Sequence, residues 1–351
     1  MGLSVLFMGL FFATADLHRM LDVLAETNYL FVVPGVALYF VSILFRTLRW
    51  QVLLSHMRRV EVTRLYPVVV VGYMANNLLP VRLGELVRSH YIGERENVSK
   101  TAALATIVVE RVLDALTLLL FIAAIAVFMP VGRLVEGFSD RYAIPTPLLV
   151  TGLSLPFIGV FVGLLAMAHA PSLTSATVAK VLGPAPQTIR VAVTDLVRLF
   201  LEGISPLRNS RTLLSLFAQS APIWLFEAGL FYTIGLGFRL QDVVGGLGEL
   251  GLVAVLVTAV ANIGSSIPAA PGGVGLFELV ARETLVLLPT VDADRALAGV
   301  YVAVVHLALL LPMIVAGQLF LWSEHLSLRR LVSAGHSTPP LSPGEGEETG
   351  S

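Results

Sequence analysis

The chain has 351 residues, of which 56% are hydrophobic and 13% are charged, and it contains no cysteine. Soluble domains carry about 25% charged residues, so this composition indicates an integral membrane protein whose spans leave no room for a large soluble catalytic domain. A formal net charge of −1 offers no electrostatic footprint for nucleic acid. The lack of cysteine excludes disulfides, thiolate catalysis and Cys-ligated metal centres. No cofactor or metal is expected, because the sequence has no phosphate-binding loop and no zinc motif.

Six apolar stretches predict full membrane spans, because crossing a bilayer takes about 20 apolar residues. In chain order they cover residues 1–15, 29–45, 101–129, 147–169, 212–236 and 297–322. The first stretch is short, and its small residues at 13–15 also fit a signal-peptide cleavage site. Since no Lys or Arg precedes this apolar run, we favour a first span whose start is clipped.

Two further apolar regions, 65–95 and 243–289, are interrupted by Pro and Gly. The first breaks at Pro80, and the second breaks within 267–275. Irregular backbone at membrane depth requires protein or a watery cavity to satisfy its polar groups. Each region therefore predicts a helical hairpin, which could be re-entrant, with its tip inside the membrane.

The two broken regions carry similar sequences, "LLPVRLGELVR" at 78–88 and "AAPGGVGLFELVAR" at 269–282. In each, Pro is followed by Gly, by Glu with Leu-Val, and then by Arg. Spans flank both regions, which defines repeat A at about 29–129 and repeat B at about 212–322. Inverted-topology repeats of this kind form a substrate site where their broken helices meet near the midplane. The sequence thus predicts an all-α polytopic fold in a single transmembrane domain, 1–325.

The orientation follows from Lys and Arg in the short loops. The connections 46–64 and 170–211 carry five basic residues each, whereas 16–28 and 289–296 carry one each. This pattern predicts cytoplasmic termini and opposite orientations of the two repeats. Within the second basic loop, 187–204 predicts an amphipathic helix that lies on the cytoplasmic interface or packs on the bundle's own loops. The tail 326–351 is rich in Pro, Gly, Ser and Glu and is expected to be disordered.

Charged residues near the first break are candidates for a functional site, because a charge near the bilayer centre costs about 2.5–3.5 kcal/mol. Pro80 suits the first turn of a helix, whose positive end would then point into the membrane. Arg82, Glu85 and Arg88 follow at helical spacing, so neighbours share one face that suits a polar cavity. The alternative is a solvated cytoplasmic helix over 82–100.

The third predicted span is also charged. Glu110 and Asp114 form one polar stripe with Thr106 and Thr117, and Arg111 lies at its edge. With the charges after the first break, three arginines and three acids predict one cluster. It is either a network of salt bridges that locks the hairpin to this span, or an anion site in which one acid of the neighbouring pair holds a proton and leaves an arginine free for a phosphate.

The candidate substrate-binding set also includes asparagines before the first break and the Gly, Glu and Arg positions of the second. It comprises Asn76, Asn77, Arg82, Glu85, Arg88, Glu110, Arg111, Asp114, Gly272, Gly273, Glu278 and Arg282. Outside this set, Glu227 fits a functional role and a buried hydrogen-bonded role equally well. His306 fits a core histidine whose hydrogen bonds are satisfied better than it fits a ligand.

Three sequence blocks carry a resemblance to a known family: "LRW" at 48–50, the long block 76–114, and "PAAPGGVGLFE" at 268–278. Up to about residue 325 the chain resembles the lysylphosphatidylglycerol synthase transmembrane region, also called the flippase-like domain. The resemblance implies a prokaryotic inner-membrane protein that moves a lipid or lipid-linked molecule between leaflets. Members can carry an appended soluble enzyme. Here only the short tail follows the last span, so the synthase activity in the family's name is not expected.

The leading functional prediction is a transporter or flippase for an amphipathic, anionic membrane lipid, with no enzymatic activity. One alternative is an intramembrane transferase that acts on a polyprenyl lipid or phospholipid. Another is a non-catalytic subunit that serves a separate lipid-modifying enzyme. The expected partners are a membrane lipid, such an enzyme, and a second copy in a homo-oligomer, but not nucleic acid.

Overall fold

The computed structural model describes Gly9 and residues 16–79, 83–266 and 271–323, and within these ranges all regular structure is helical. This confirms the predicted all-α polytopic membrane fold. The α-helices are α1 Leu17–Glu26, α2 Val32–Leu54, α3 Val62–Leu78, α4 Gly84–Glu96, α5 Lys100–Ile125, α6 Val131–Tyr142, α7 Thr146–His169, α8 Pro171–Val181, α9 Gln187–Gly203, α10 Ser210–Gly237, α11 Gln241–Val244, α12 Leu247–Gly264, α13 Leu276–Leu287 and α14 Arg295–Ser323. Short 3₁₀ turns lie at Tyr29–Phe31, Ser205–Arg208 and Pro271–Gly273.

Five helices of the described chain are long and apolar enough to cross a membrane. They are α2 with its preceding turn, α7, α10, α12 and α14. Four of these match predicted spans, whereas α12 was predicted only as one arm of a broken region. Helix α5 matches the predicted span 101–129 in position. It is not among the five apolar helices, because Glu110, Arg111 and Asp114 lie near its middle. The predicted first span, 1–15, lies outside the described residues except for Gly9.

Helix α2 extends nine residues past the predicted end of its span and carries Arg46 and Arg49 into the protein interior. The assignment of these two arginines to a cytoplasmic loop was therefore wrong. Both side chains are buried, at 3% and 0% exposure, because carboxylates from other helices neutralise them. Arg58 and Arg59 remain in the connection after α2, and Arg64 lies in the first turn of α3.

Both helix breaks lie where the sequence places them. Helix α3 ends at Leu78 and α4 begins at Gly84, with Pro80 and Arg82 outside the described residues. The second break contains a turn in which Gly272 and Gly273 have φ angles of 62° and 76°. Residues with a Cβ rarely adopt this left-handed conformation, so glycine suits both positions.

The helices of the two predicted repeats pack in a reciprocal pattern. Helix α2 packs against its counterpart α10, while α3 packs against α14 and its counterpart α12 packs against α5. Such exchanged pairs are what a two-fold relation between two repeats would produce. The packing supports the inverted-repeat hypothesis, which stays a prediction, as do the domain limits.

The amphipathic segment forms α9, which matches the predicted range 187–204 to within one residue. It packs on α5 and α8, and Leu201 and Gly203 are its buried residues. A contact with the membrane surface stays a prediction, and the tail 326–351 lies outside the described residues.

Candidate functional site

A network of buried arginines and carboxylates joins α2, α5 and α10. Arg46 Nη1 lies 3.2 Å from Asp114 Oδ2, and its Nη2 lies 2.7 Å from Glu227 Oε2. One turn further along α2, Arg49 Nη1 lies 2.8 Å from Asp114 Oδ1 and its Nη2 lies 3.8 Å from Glu110 Oε1. The two arginines are three residues apart and the two acids of α5 are four apart, so each pair lies on one helix face.

Arg88 connects α4 to the same network. Its Nη1 lies 2.8 Å from Glu110 Oε2, and its guanidinium stacks over Trp50, with Cζ 3.7 Å from the ring centroid. The indole N–H of Trp50 donates to Thr106 Oγ1 at 2.9 Å. The predicted polar stripe on α5 is thus fully buried, including Thr117, and faces protein rather than lipid.

Arg111 is the network's most exposed arginine among the described residues, with 28% of its side chain accessible. Its Nη2 lies 3.3 Å from Asp114 Oδ2 and donates to the hydroxyl of Tyr73 at 2.9 Å. Glu85 is only a distant partner, because its Oε1 lies 3.9 Å from Arg111 Nε. This guanidinium therefore has room for a further anionic partner.

The proton on one acid of the Glu110–Asp114 pair stays a prediction, and the contacts of Asp114 count against placing it on that residue. Asp114 contacts three guanidinium groups, those of Arg46, Arg49 and Arg111, within 3.3 Å. A protonated Asp114 would place a neutral group among three positive charges in a low-dielectric interior, which is unfavourable. Asp114 is the hub of the network, because it contacts more arginines than Glu110 or Glu227 does.

A cavity of about 160 Å³ lies beside this network, between helices of both predicted repeats. Its wall includes the helix end before the first break and the glycine turn of the second. A methyl group built on Gly272 would lie 3.4 Å from the Asn77 backbone oxygen, so the two breaks adjoin each other. The cavity is lined by Tyr39, Arg46, Tyr73, Asn76, Asn77, Arg111, Trp224, Glu227, Asn262, Ser265, Gly272, Gly273, Phe277, His306, Leu309 and Leu310.

His306 lines the cavity beside the glycine turn of the second break. Its Nδ1 lies 2.7 Å from Glu278 Oε1, and its Nε2 lies 2.9 Å from the carbonyl oxygen of Gly272. Phe277 stacks on the imidazole with a centroid distance of 4.3 Å. The second carboxylate oxygen of Glu278 accepts the Gly275 N–H at 2.7 Å, which caps α13. His306 is hydrogen-bonded, as expected of a core histidine, but it also borders the cavity.

The predicted candidates are distributed over three environments. Asn76, Asn77, Arg111, Gly272 and Gly273 line the cavity. Arg88, Glu110 and Asp114 lie in the buried network, and Glu85 lies at its edge. Glu278 contacts His306, which lines the cavity. Arg82 falls outside the described residues.

Arg282, another candidate of the predicted set, does not line this cavity. It pairs with Glu283 at 2.9 Å, and that carboxylate also lies near Arg295 and Arg141. These contacts join α13 to α6 and to the start of α14. Arg282 matches Arg88 in the alignment of the two predicted repeats. Arg88 pairs with Glu110 of another helix, whereas Arg282 pairs with the next residue in its own helix, Glu283.

Sequence reasoning missed Arg46 and Arg49 and left Glu227 undecided. The available signal was the cost of charge next to an apolar span. Arg46 and Arg49 also fit the positive-inside pattern of a cytoplasmic loop, so the sequence alone places them in the connection 46–64. Among the described residues no group of three or more His, Asp or Glu side chains could hold a metal ion.

The fold and this site are those of a helical membrane protein with a polar interior, and comparison with known proteins assigns the family. The model of the lysylphosphatidylglycerol synthase TM region matches residues 1–317, so the chain belongs to this family. It is 24% identical to Glycosyltransferase AglD of Haloferax volcanii over 318 residues, which cover 85% of this chain and 50% of that protein.

Two archaeal membrane proteins also match shorter parts of the chain. A UPF0104 membrane protein of Methanocaldococcus jannaschii is 29% identical over 34% of this chain and 36% of its own length. A UPF0104 membrane protein of Methanothermobacter thermautotrophicus is 32% identical over 26% of this chain and 28% of its own length. The matched parts of these relatives amount to half of their length or less. No solved structure matches the chain significantly.

Proposed function

We propose that this protein moves an anionic, amphipathic lipid or lipid-linked molecule between the leaflets of a cell membrane. The observation that carries the proposal is the polar cavity at the meeting point of the two helix breaks, with Arg46 and Arg111 on its wall. A charged headgroup needs such a path, because its transfer through hydrocarbon would cost several kcal/mol.

Arg111 is the residue that we assign to the lipid phosphate. Its side chain is 28% exposed and lines the cavity, so a phosphate in the cavity could approach it without breaking the shorter contacts to Asp114 and Tyr73. Arg46 instead balances Asp114 and Glu227 at short distance and would supply long-range attraction. The side-chain amides of Asn76 and Asn77 offer neutral hydrogen-bond donors on the same wall.

A second candidate function is an intramembrane transferase that acts on a lipid carrier. The name of the relative from Haloferax volcanii, a glycosyltransferase, favours this candidate. The chain spans about half of that relative's length, so the activity in its name is a proposal for this chain. A transferase changes the bonds of its lipid, whereas a flippase changes only the leaflet in which the lipid lies. The protein could also serve a separate lipid-modifying enzyme as a membrane subunit.

The test is a leaflet-exchange assay with the purified chain reconstituted into vesicles. The probes are head-group-accessible labelled phosphatidylglycerol and a labelled polyprenyl phosphate, and impermeant quenching reports the leaflet. We expect the protein to accelerate exchange of at least one probe. Arg111→Gln should slow that exchange by about tenfold or more, since a hydrogen bond to a charged group contributes about 1.5–3 kcal/mol.

Arg198→Gln is the matched control, because Arg198 is 71% exposed and lies on α9, away from the cavity. Its exchange rate should equal that of the unmodified protein. Exchange no faster than in protein-free vesicles for both probes would refute the flippase proposal. Mass spectrometry of the recovered probes distinguishes the transferase, which would yield a chemically altered lipid.

A further inference from the structure

His306, Glu278 and Gly272 form a contact that we call the His–Glu clasp. The imidazole bridges a side chain of α13 and the backbone of the glycine turn, with Nδ1 2.7 Å from Glu278 Oε1 and Nε2 2.9 Å from Gly272 O. Both groups that face the ring nitrogens are oxygen acceptors when Glu278 is ionised. A neutral imidazole has only one N–H and can donate to only one of them.

Counting donors shows that the clasp needs one additional proton. The carbonyl of Gly272 accepts only, so Nε2 must carry a hydrogen. A second proton must then lie between Nδ1 and the Glu278 carboxyl group, either on the ring as imidazolium or on the acid. In both arrangements the pair of side chains is neutral overall, which suits a buried position with 4% and 10% of the two side chains accessible.

Loss of this proton to water removes one of the two hydrogen bonds. The neutral imidazole would keep its hydrogen on Nδ1, because a carboxylate is a stronger acceptor than a carbonyl. The bare Nε2 would then face the Gly272 oxygen at a repulsive distance, and the glycine turn would lose its anchor. The turn has left-handed φ angles at Gly272 and Gly273, a conformation that glycine adopts without strain but does not by itself enforce.

We propose that the His–Glu clasp is a proton-binding site that closes the glycine turn against the cavity when it is protonated and releases it when it is not. Because the turn forms part of the cavity wall, proton binding and cavity shape are linked. Each proton bound or released would change the shape of the cavity at the second helix break. Only the inference that this change affects lipid movement rests on the proposed function.

The other charged side chains that line the cavity have ion-pair partners of their own. Arg46 pairs with Glu227, and Arg111 donates to Tyr73. Among the described residues, Glu278 is the acid that hydrogen-bonds to His306. The groups that the elements packed near α14 contribute are Tyr39 and Arg46 from α2, Tyr73 from α3, Arg111 from α5, Glu227 from α10, the Arg282–Glu283 pair of α13, and Arg19 of the α1 segment paired with Asp294 before α14.

Glu278→Gln is the decisive variant. The glutamine amide nitrogen can donate to Nδ1 permanently, while its oxygen can still accept the Gly275 N–H. The clasp would then keep both hydrogen bonds with a neutral imidazole and without the additional proton. The matched control is Glu249→Gln, which removes an exposed carboxylate from the first turn of α12.

The measurement is hydrogen–deuterium exchange of the 271–278 segment in the purified full-length chain. It runs from about pH 5 to about pH 9, which brackets the ordinary titration of histidine, and rates are corrected for intrinsic exchange. Closure takes up a proton, so protection should be highest at low pH and fall as the pH rises. We expect a fall of about tenfold, which corresponds to about 1.4 kcal/mol, in the unmodified chain and in Glu249→Gln.

Glu278→Gln should show high protection that does not change with pH. Protection that is independent of pH in the unmodified chain would overturn the proposal, and so would a Glu278→Gln variant that follows the unmodified profile. The assay involves no lipid movement, so a failure here leaves the flippase proposal standing. A failure of leaflet exchange likewise leaves the clasp intact.

Discussion

Asp114 is the residue on which the buried charges depend. It contacts arginines of α2 and α5, at 2.8 Å from Arg49, 3.2 Å from Arg46 and 3.3 Å from Arg111. Removing one partner from a buried ion pair costs more than the pair itself contributes, because the remaining charges stay desolvated. The network therefore constrains helix positions as well as lining the cavity.

Asp114→Asn tests this role. We expect the variant to lose about 3–5 kcal/mol of stability, the usual cost of stranding a buried charge, and to unfold at a markedly lower temperature in detergent. Asp195→Asn is the control, since Asp195 is 62% exposed in a pair with Arg198 and exposed pairs contribute about 0–1 kcal/mol. Equal unfolding temperatures for the two variants would contradict the hub role of Asp114.

At the scale of the elements, the close approach of α3 and α4 determines the shape of the first hairpin. Gly84 begins α4 directly against α3, where a methyl group would overlap the carbonyl oxygen of Gly72 and lie 2.5 Å from the backbone nitrogen of Asn76. Small residues allow two helices to pack this closely in a membrane. Asn76 lines the cavity, so this contact also positions part of the site.

Gly84→Ala should therefore push α4 away from α3 and destabilise the protein by at least the 1–3 kcal/mol typical of overpacking. It should also slow leaflet exchange, because Asn76 would move. Gly152→Ala in α7 is the matched control, since no atom beyond the local backbone of its own helix lies within 4 Å of the added methyl group. We expect it to match the unmodified protein in thermal unfolding and in exchange. If Gly84→Ala were as stable as this control, α3 and α4 could move apart without cost, and the prediction would be wrong.

At the scale of the whole molecule, the reciprocal packing of the two predicted repeats is compatible with opposite orientations in the membrane, which stay a prediction. Lys and Arg in the loops predict the same arrangement, although two of the arginines first counted for it are buried in α2. Arg58 remains in the connection after α2, with 52% of its side chain exposed.

Single cysteines in this cysteine-free chain test the orientation. Arg58→Cys should react with an impermeant maleimide only after the cells are permeabilised, because the connection after α2 is predicted to be cytoplasmic. Asp292→Cys, in the exposed loop before α14, should react in intact cells. Labelling of Arg58→Cys from outside would overturn the predicted topology.

The sequence by itself determined the long helices α2, α5, α7, α10 and α14, the amphipathic helix α9, where two regions break, and which family the chain resembles. These features are local: apolar length defines a span, and the Pro-Gly-Gly turn at 271–273 has glycine where the backbone is left-handed. The polar stripe on α5 could likewise be predicted, because Glu110 and Asp114 are one helical turn apart.

Only the tertiary structure decided which charges belong together. Arg46 pairs with acids 68 and 181 residues away, and no local pattern distinguishes such a residue from a loop arginine. The same holds for His306, whose role depends on Glu278 and on a backbone carbonyl 34 residues away. Burial of a charge depends on its partner's position in space, and helix packing alone determines that position.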